Sequence, residues 1–486
     1  MVVDVVRVLL VSMAVACAGI AQSPQRLVQL NVAATNAQGE PVTDLRPDDI
    51  QVREDGKPRP IAFFRFAGSK RAVEPPGPGE FINRPAPTPT LILLDRWNER
   101  ILTSAKAWTD IDAALERLET VNRIYIYFLT NRGDLFPVHP LPSTDANLRA
   151  GPEPTAADLR AKLDQAVRQL QGFRAVDALD PVLRANTTFQ ALSVLGSQMA
   201  SIAGRKNLIW VTHGIPLTEM IAGELMDWTP QVRSLSANAA QYHIAIYTVD
   251  QSAEGAGADI VGQSRLTLQM ISALTGGRWF ASDDVNTALT ESLIDGRGDY
   301  RVAYYSTVPE KDRKEHKIRV ESTRKGVRFL TREGYFGPFP EPDPDDVEAA
   351  AFGAQSRSPL DANEIGLRVK ISRDTEKKTV RFNIRIDPAD VFLERRGDNY
   401  HGRIGVMLAF YTAGFLEEPS TPTEVDINLT PEQFSQAMKD GVVVSRDAPV
   451  DDKVQKIQVM VFDRGLHGLG SVTVPIDGPP VARPRL

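Results

Sequence analysis

The sequence predicts an α/β fold: a Rossmann-like unit with helices on both faces of a mostly parallel sheet, flanked by β-rich, sandwich-like units. Three observations carry this. Apolar runs such as Leu91 to Leu94, ended by Asp95, read as strands buried on both faces. Between residues 90 and 299 such runs alternate with segments of helical apolar spacing. Before and after that stretch the apolar period falls to two, the mark of strands with one wet face.

The chain has 486 residues, room for roughly three domains. Its 42% hydrophobic and 24% charged residues suit a globular protein with a sizeable core. A net charge of -6, with Lys and Arg scattered, argues against nucleic acid as a partner.

The N-terminus predicts export. Arg7 precedes an apolar stretch over residues 8–18 that is too short to span a bilayer, and small residues offer cleavage after Ala18 or Ala21. A signal peptide over residues 1–21 implies a secreted, periplasmic or outer-envelope protein. Cys17, the only cysteine, stands where a lipoprotein is acylated, but Ala14-Val15-Ala16 lacks the usual Leu before it. No later segment reads as a transmembrane helix, so none is expected in the mature chain.

Residues 27–66 form the first β segment: Val28, Leu30 and Val32 alternate, then Ile50 and Val52, then Ile61 and Phe63, with turns at Gln38-Gly39 and Asp55-Gly56. The Pro-rich residues 75–89 read as a linker. In the unit 90–299, Trp108, Ile111, Leu115 and Leu118 share a helical face, and Tyr125 to Leu129 is a strand with a hairpin partner at 135–138. Thr155 and Asp158 make a capping box for a helix through Leu170. Phe189, Leu192, Leu195, Met199 and Ile202 mark the next helix, followed by a strand at 207–212. A helix opening at Thr229-Pro230, a strand at 243–249, a helix at 266–274 and a strand at 278–281 come next. Ser282 caps a last helix. In such sheets ligands bind beyond the carboxyl ends of the strands, which places Asp95 at the ligand edge.

Residues 300–336 return to a period of two, through Val302/Tyr304, Ile318/Val320 and Val327/Phe329. Residues 337–360 read as a second linker, with Asp345-Asp346 as acidic linker residues, and 361–478 as a C-terminal β-sandwich. The strands of 27–66 are too few to stand alone, so they and 300–336 are expected to pack as one discontinuous β domain with unit 90–299 inserted between them.

Several blocks resemble the bacterial, acidobacterial-type VWFA-related family. They are the opening LVQLNVAATNAQGEPVTDLRPDDIQVREDGKPRPIAFF, then GRKNLIWVTHGIP, HIAIYTVD, LTGGRWF, DYRVAYYS and VRFLTREGYF. The resemblance spans residues 27–336 and implies a von Willebrand factor A-like domain, export, and recognition of a protein or cell-surface ligand. It also implies a divalent metal on a D-x-S-x-S loop, a Thr and a third-loop Asp, because Mg²⁺ takes hard oxygen ligands in octahedral geometry. By that resemblance the metal residues are Asp95, Glu99 and Thr188 (or Thr187). The pattern departs at Trp97, which replaces the first Ser and has no oxygen to give, at Glu99, which replaces the second, and at His213, near the third-loop Asp. The metal site therefore reads as degenerate. Mg²⁺ or another divalent cation is the one group it would take, and no organic cofactor is implied. Trp97, Asn98 and His213 are expected instead to form a recognition surface.

No G-x-S-x-G, H-E-x-x-H or P-loop pattern occurs, and the mature body has no thiol. The expectation is a binding protein rather than an enzyme. The alternatives are a structural envelope scaffold without a ligand, or a hydrolase whose residues meet only in space.

Overall fold

Leu91 and Leu93 turn to one side of their strand, Ile92 and Leu94 to the other, and all four are buried. That strand therefore needs cover on both faces. The computed structural model describes residues 26–476, except 69–73, 85, 99–103, 118–122, 143–153, 171–179, 201, 252–257, 282–284, 310–311, 338–342, 375–378, 413–414, 418 and 452. The signal segment with Cys17, Glu99, Leu118, and Ser282 with the pair Asp283-Asp284 all lie outside the described residues.

Strands Thr90–Asp95, Ile124–Leu129, Lys206–Thr212, Ile244–Asp250 and Trp279–Phe280 run parallel, and Leu135–His139 is antiparallel at one edge. Their spatial order is 279–280, 244–250, 206–212, 90–95, 124–129, 135–139. Chain direction across the sheet thus reverses between 90–95 and 206–212. Helices Pro181–Ala200, Thr229–Gln241 and Ala258–Thr275 pack on the face carrying Leu91, Leu93 and Trp210. Helices Ser104–Arg117, Ala156–Leu170 and Val285–Arg297 pack on the face carrying Ile92, Leu94 and Ile209. The capping box forms at the second of these: the Thr155 backbone N–H donates to Asp158 Oδ2 at 2.9 Å, and the Asp158 N–H to Thr155 Oγ1 at 3.2 Å.

This sheet does not set the class of the chain, and the expected fold class is corrected. Among the described residues the protein is mostly β, with 41% strand against 30% helix. Its described strands fall into six separate sheets, and parallel pairing occurs in one of them. A Rossmann-like von Willebrand factor A arrangement does not describe this chain. The expectation took the class from the strand–helix alternation of unit 90–299 and set the β units beside it as flanks, whereas the flanking segments hold most of the described strands.

Strand Arg26–Thr35 pairs with Asp299–Ser306 and Arg328–Leu330, and Asp299–Ser306 pairs in turn with Ile61–Phe66. A second sheet joins Lys57–Arg59, Ile50–Glu54, Glu315–Ser322 and Gly334–Phe336, with Val52 opposite Val320. Both antiparallel sheets close on Val28, Leu30, Val32, Val52, Tyr300 and Ile318. Glu54 is fully buried there and accepts from Tyr304 and Tyr335 at 3.0 and 2.8 Å and from Arg59 and Ser306 at 3.0 Å.

Neither Pro-rich stretch is a bare linker. Glu80–Ile82 is a strand at the edge of a C-terminal sheet, paired with Leu367–Asp374, and edge positions tolerate neighbouring prolines. Asn83 fixes it: Nδ2 donates to the Ala362 and Ile365 carbonyls at 2.8 and 2.7 Å, and Oδ1 accepts from the Leu367 N–H at 2.8 Å. Pro344–Gln355 is a helix capped by Asp343. A proline in the first turn is compatible with a helix because that N–H has no intrahelical partner. Asp345 and Asp346 sit in that first turn, where acidic groups favour the helix dipole.

Residues beyond 361 form two antiparallel sheets over one core that includes Val369, Phe382, Ile384, Ile404, Val459 and Val472. The two β regions are bolted together. Arg65 donates to Asp390 and Asp387 at 2.8 Å each, and the Tyr305 hydroxyl to Glu394 at 2.9 Å.

Candidate functional site

The reversal of strand order puts Asp95 and Thr212, the last residues of adjacent parallel strands, side by side at the carboxyl edge of the sheet. Asp95 is buried and fully engaged. Its Oδ1 accepts from the Asn98 N–H at 3.0 Å. Its Oδ2 accepts from Asn98 Nδ2 at 2.7 Å, Trp210 Nε1 at 3.0 Å and Thr212 Oγ1 at 2.7 Å. Thr212 Oγ1 in turn accepts from the Gly214 N–H at 2.9 Å, which fixes the loop after that strand. Gly214 adopts φ 73°, and a side chain there would press on Ser264 and Leu268.

Helix Pro181–Ala200 delivers Thr188, fully buried, whose Oγ1 donates to the Arg184 carbonyl at 2.9 Å and accepts from Asn98 Nδ2 at 2.9 Å. The structure therefore gathers Asp95, Asn98 and Thr188 with the Trp210 indole and adds Thr212, which the sequence reading did not assign to the site. Glu99 lies outside the described residues.

Trp97, Asn98 and His213 are not the exposed recognition surface expected from the sequence; their exposures are 6%, 1% and 8%. Trp97 lies in the core under helix Pro181–Ala200, its Nε1 donating to the Arg184 carbonyl at 3.0 Å. The turn at Gly133 closes over its ring, and a Cβ at Gly133 would lie 3.6 Å from it. Trp210 is wholly buried. An aromatic beside a strand end has apolar area to hide, and here a helix and a turn hide it.

The described residues at this edge do not by themselves fit a divalent cation. Such an ion needs several oxygens with free lone pairs. Three donors crowd Asp95 Oδ2 and leave it no lone pair for an ion, one more holds Oδ1, and Trp97 offers no oxygen. Among the described residues, no group of three His, Cys, Asp or Glu side chains stands close enough to hold a metal.

Exposed apolar surface lies next to this edge. The loop after Thr212 leads into a hairpin, Thr218–Ile221 against Glu224–Asp227. Ala222 and Gly223, at φ 53° and 89°, make its two-residue turn. Met220 and Leu225 face each other across the hairpin, 63% and 64% exposed. Met226, Trp228 and Ile215 anchor its base in the core, and Thr218 donates to Gln263 at 3.1 Å. The sequence reading passed over this hairpin. Its signal was two short runs, TEMI and ELMD, around an Ala-Gly step.

The opposite edge of the sheet is a buried polar junction. Arg205 bonds to Asp299 at 3.3 Å and to the Tyr247 hydroxyl at 2.9 Å; Tyr247 donates to Asp295 at 2.8 Å, and Asn31 to Asp299 at 2.9 Å. Burial pushes the Asp299 carboxyl up, with Arg205 opposing it. Burial also holds His243, against Asn31 at 2.8 Å, well below the ordinary histidine range. A cavity of about 60 Å³ beside the junction is lined by Arg65, Arg205, Arg301, Asp299, Glu364 and Asp390. It has room for a water or two.

No protein-family profile matches the chain, and no curated protein matches it. Among solved structures the chain is similar to the pilus adhesin SpaC from Lactobacillus rhamnosus GG, with 11% identity and a TM-score of 0.29. The alignment covers 90% of this chain and 58% of that one, so the chain spans less than two thirds of the adhesin's length. A likeness this loose assigns no fold. Among the described residues no helix is long and apolar enough to cross a membrane.

Proposed function

We propose that this is an exported binding protein that recognises a protein or cell-surface ligand, with the hairpin 218–227 as its contact element. The observation that carries the reading is the cross-strand pair Met220 and Leu225, both more than half exposed, at the sheet edge where ligands of such sheets bind. Paired exposed apolar side chains on an anchored hairpin provide contact area that loses little entropy on docking. The apolar segment over residues 8–18 with its small-residue cleavage sites supports export. The blocks resembling the exported VWFA-related family support both export and binding.

The test is retention of the full chain on envelope fractions and whole cells of the source bacterium. It compares wild type with a Met220→Lys, Leu225→Lys double variant that leaves the hairpin turn intact. Wild type is expected to be retained saturably, and the variant to bind about tenfold or more weaker. Equal retention of both, or none above a control protein, overturns the reading.

A structural scaffold is the second reading. It is favoured by the bolting of the two β regions through Arg65, Asp387 and Asp390.

A further inference from the structure

Asn98 Nδ2 stands between two side chains that come from different elements. It donates to Asp95 Oδ2, at the end of a strand, at 2.7 Å, and to Thr188 Oγ1, on a helix, at 2.9 Å. These are two of the three residues to which the sequence resemblance assigns a divalent cation. We propose that the Asn98 amide takes the cation's place, so that Asp95 and Thr188 are joined by a side chain of the protein itself and the edge is metal-independent.

Three observations support this. The amide orientation is fixed by its partners: with the oxygen in place of the nitrogen, an acceptor would face the Asp95 carboxylate at 2.7 Å, and the two would repel. Asp95 Oδ2 is also fully engaged, by three donors that a cation would have to displace, and Oδ1 holds a fourth. Trp210 Nε1 and Thr212 Oγ1 belong to the neighbouring strand, and the Asn98 N–H belongs to the loop backbone. Lastly, Trp97, which stands where the resemblance expects an oxygen-bearing Ser, has its indole committed to the Arg184 carbonyl. Asn98 Oδ1 is left over, buried and without a hydrogen-bond partner among the described residues. Among the described residues, that neutral oxygen and the partly used Asp95 Oδ1 do not supply the shell that a hard divalent cation requires.

An NH₂ group can bridge two oxygens as a small cation does. It differs in needing no free ion and in fixing the geometry of the edge at any metal concentration. The proposal is independent of which partner the hairpin contacts. It states only that the state of this edge does not depend on metal.

The experiment is divalent-ion binding by the full chain, read by calorimetry with Mg²⁺, Mn²⁺ and Zn²⁺ and by Mn²⁺ paramagnetic resonance. Melting temperatures are measured with a chelator and with millimolar ion. Wild type is expected to show no saturable site and no melting shift. Asn98→Asp sets a second carboxylate against Asp95 and is expected to gain a saturable Mn²⁺ site. It should melt below wild type in chelator and recover on Mn²⁺ addition, and the gain should vanish when Asp95→Ala is added. Asn98→Ser vacates the amide with little change in charge and is expected to gain weaker Mn²⁺ binding. It decides the matter if Asn98→Asp does not fold. A wild-type site that saturates with one ion and is lost in Asp95→Ala overturns the proposal. So does a folded Asn98→Asp or Asn98→Ser that binds no ion, because the amide would then not be standing where a cation fits.

Discussion

Replacing Asp95 with Ala strands four donors in a dry place. Trp210 and Thr212 are wholly buried and Asn98 is 1% exposed, so water does not replace the lost acceptor. A buried donor without a partner costs about 1–3 kcal/mol. The Thr212 hydroxyl can turn toward another acceptor, which leaves the indole N–H, the Asn98 amide and the Asn98 backbone N–H. Taken at the low end because neighbours are not additive, these give a loss of about 3 kcal/mol, at the upper end of what single substitutions do. Asp95→Asn keeps one oxygen. Turned toward the three donors now on Oδ2, it leaves one conflict, its NH₂ against the Asn98 N–H, and the loss falls to about 2 kcal/mol. The assay is urea unfolding followed by tryptophan fluorescence, with hydrogen exchange on residues 90–95 and 206–212 to isolate the transition of this sheet in a multi-unit chain. An Asp95→Ala protein as stable as wild type, or more stable, would refute the reasoning. That result is the signature of a carboxylate held under strain for a ligand rather than spent on the fold.

Glu54→Ala leaves Tyr304, Tyr335, Ser306 and Arg59 facing a void and is expected to lose about 3–5 kcal/mol in thermal or urea unfolding, against about 1–3 for Glu54→Gln. Asp463 is fully buried, and burial raises its carboxyl to about 6, against the lowering effect of three backbone N–H donors. A raised carboxyl keeps in the folded state a proton that the unfolded chain releases, so its contribution is present below about pH 4 and is lost as pH rises through 6. The stability difference between Asp463→Asn and wild type should therefore move by up to about 3 kcal/mol in favour of the variant from pH 4 to pH 7, measured by urea unfolding at each pH. Asn83→Ala removes three hydrogen bonds to backbone groups of 362–367. It should speed proteolysis and hydrogen exchange of strand Glu80–Ile82 while leaving strand Thr90–Asp95 protected.

What the sequence made legible depended on how local the cause was. Leu91 to Leu94 is apolar on both faces, and its strand does run between two helical layers. The alternation of Val52 and of Val320 shows that each belongs to a strand, and the structure sets the two opposite one another across 268 positions of chain. The turn residues of the hairpin 218–227 were visible but carried no apolar period to draw attention. Burial of Trp97 was not legible. It depends on a helix nearly ninety positions away and on the turn at Gly133, and no window of sequence holds both. The same limit hid the Pro-rich segments. Glu80–Ile82 is a strand because Leu367–Asp374 lies beside it, not because its own residues ask for one. The fold class failed for a different reason. The strong pattern over 90–299 set the class, although the flanking segments, read as β from their period of two, hold most of the described strands.

The two edges of the parallel sheet solve the same problem with opposite chemistry, and this bears on where a partner can act. At the amino edge, Arg205, Asp299, Tyr247 and Asp295 join the sheet to the β region that carries Asn31 and Asp299. Removing one member of such a buried charged set costs about 3–5 kcal/mol, because the others are left unpaired. That edge is therefore committed to holding the chain's parts together and has no surface to offer. At the carboxyl edge the described polar groups Asp95, Asn98, Thr188 and Thr212 bond to one another within a single unit. The described start of the loop after Asp95 and the turn at Gly214 are thus held in place by this unit alone. An anchored hairpin with two bare apolar side chains next to a rigid, self-satisfied edge can meet a partner without first breaking anything. Recognition there pays for neither loop ordering nor metal capture, which is why the hairpin, rather than the buried tryptophans, is the place to look for contact.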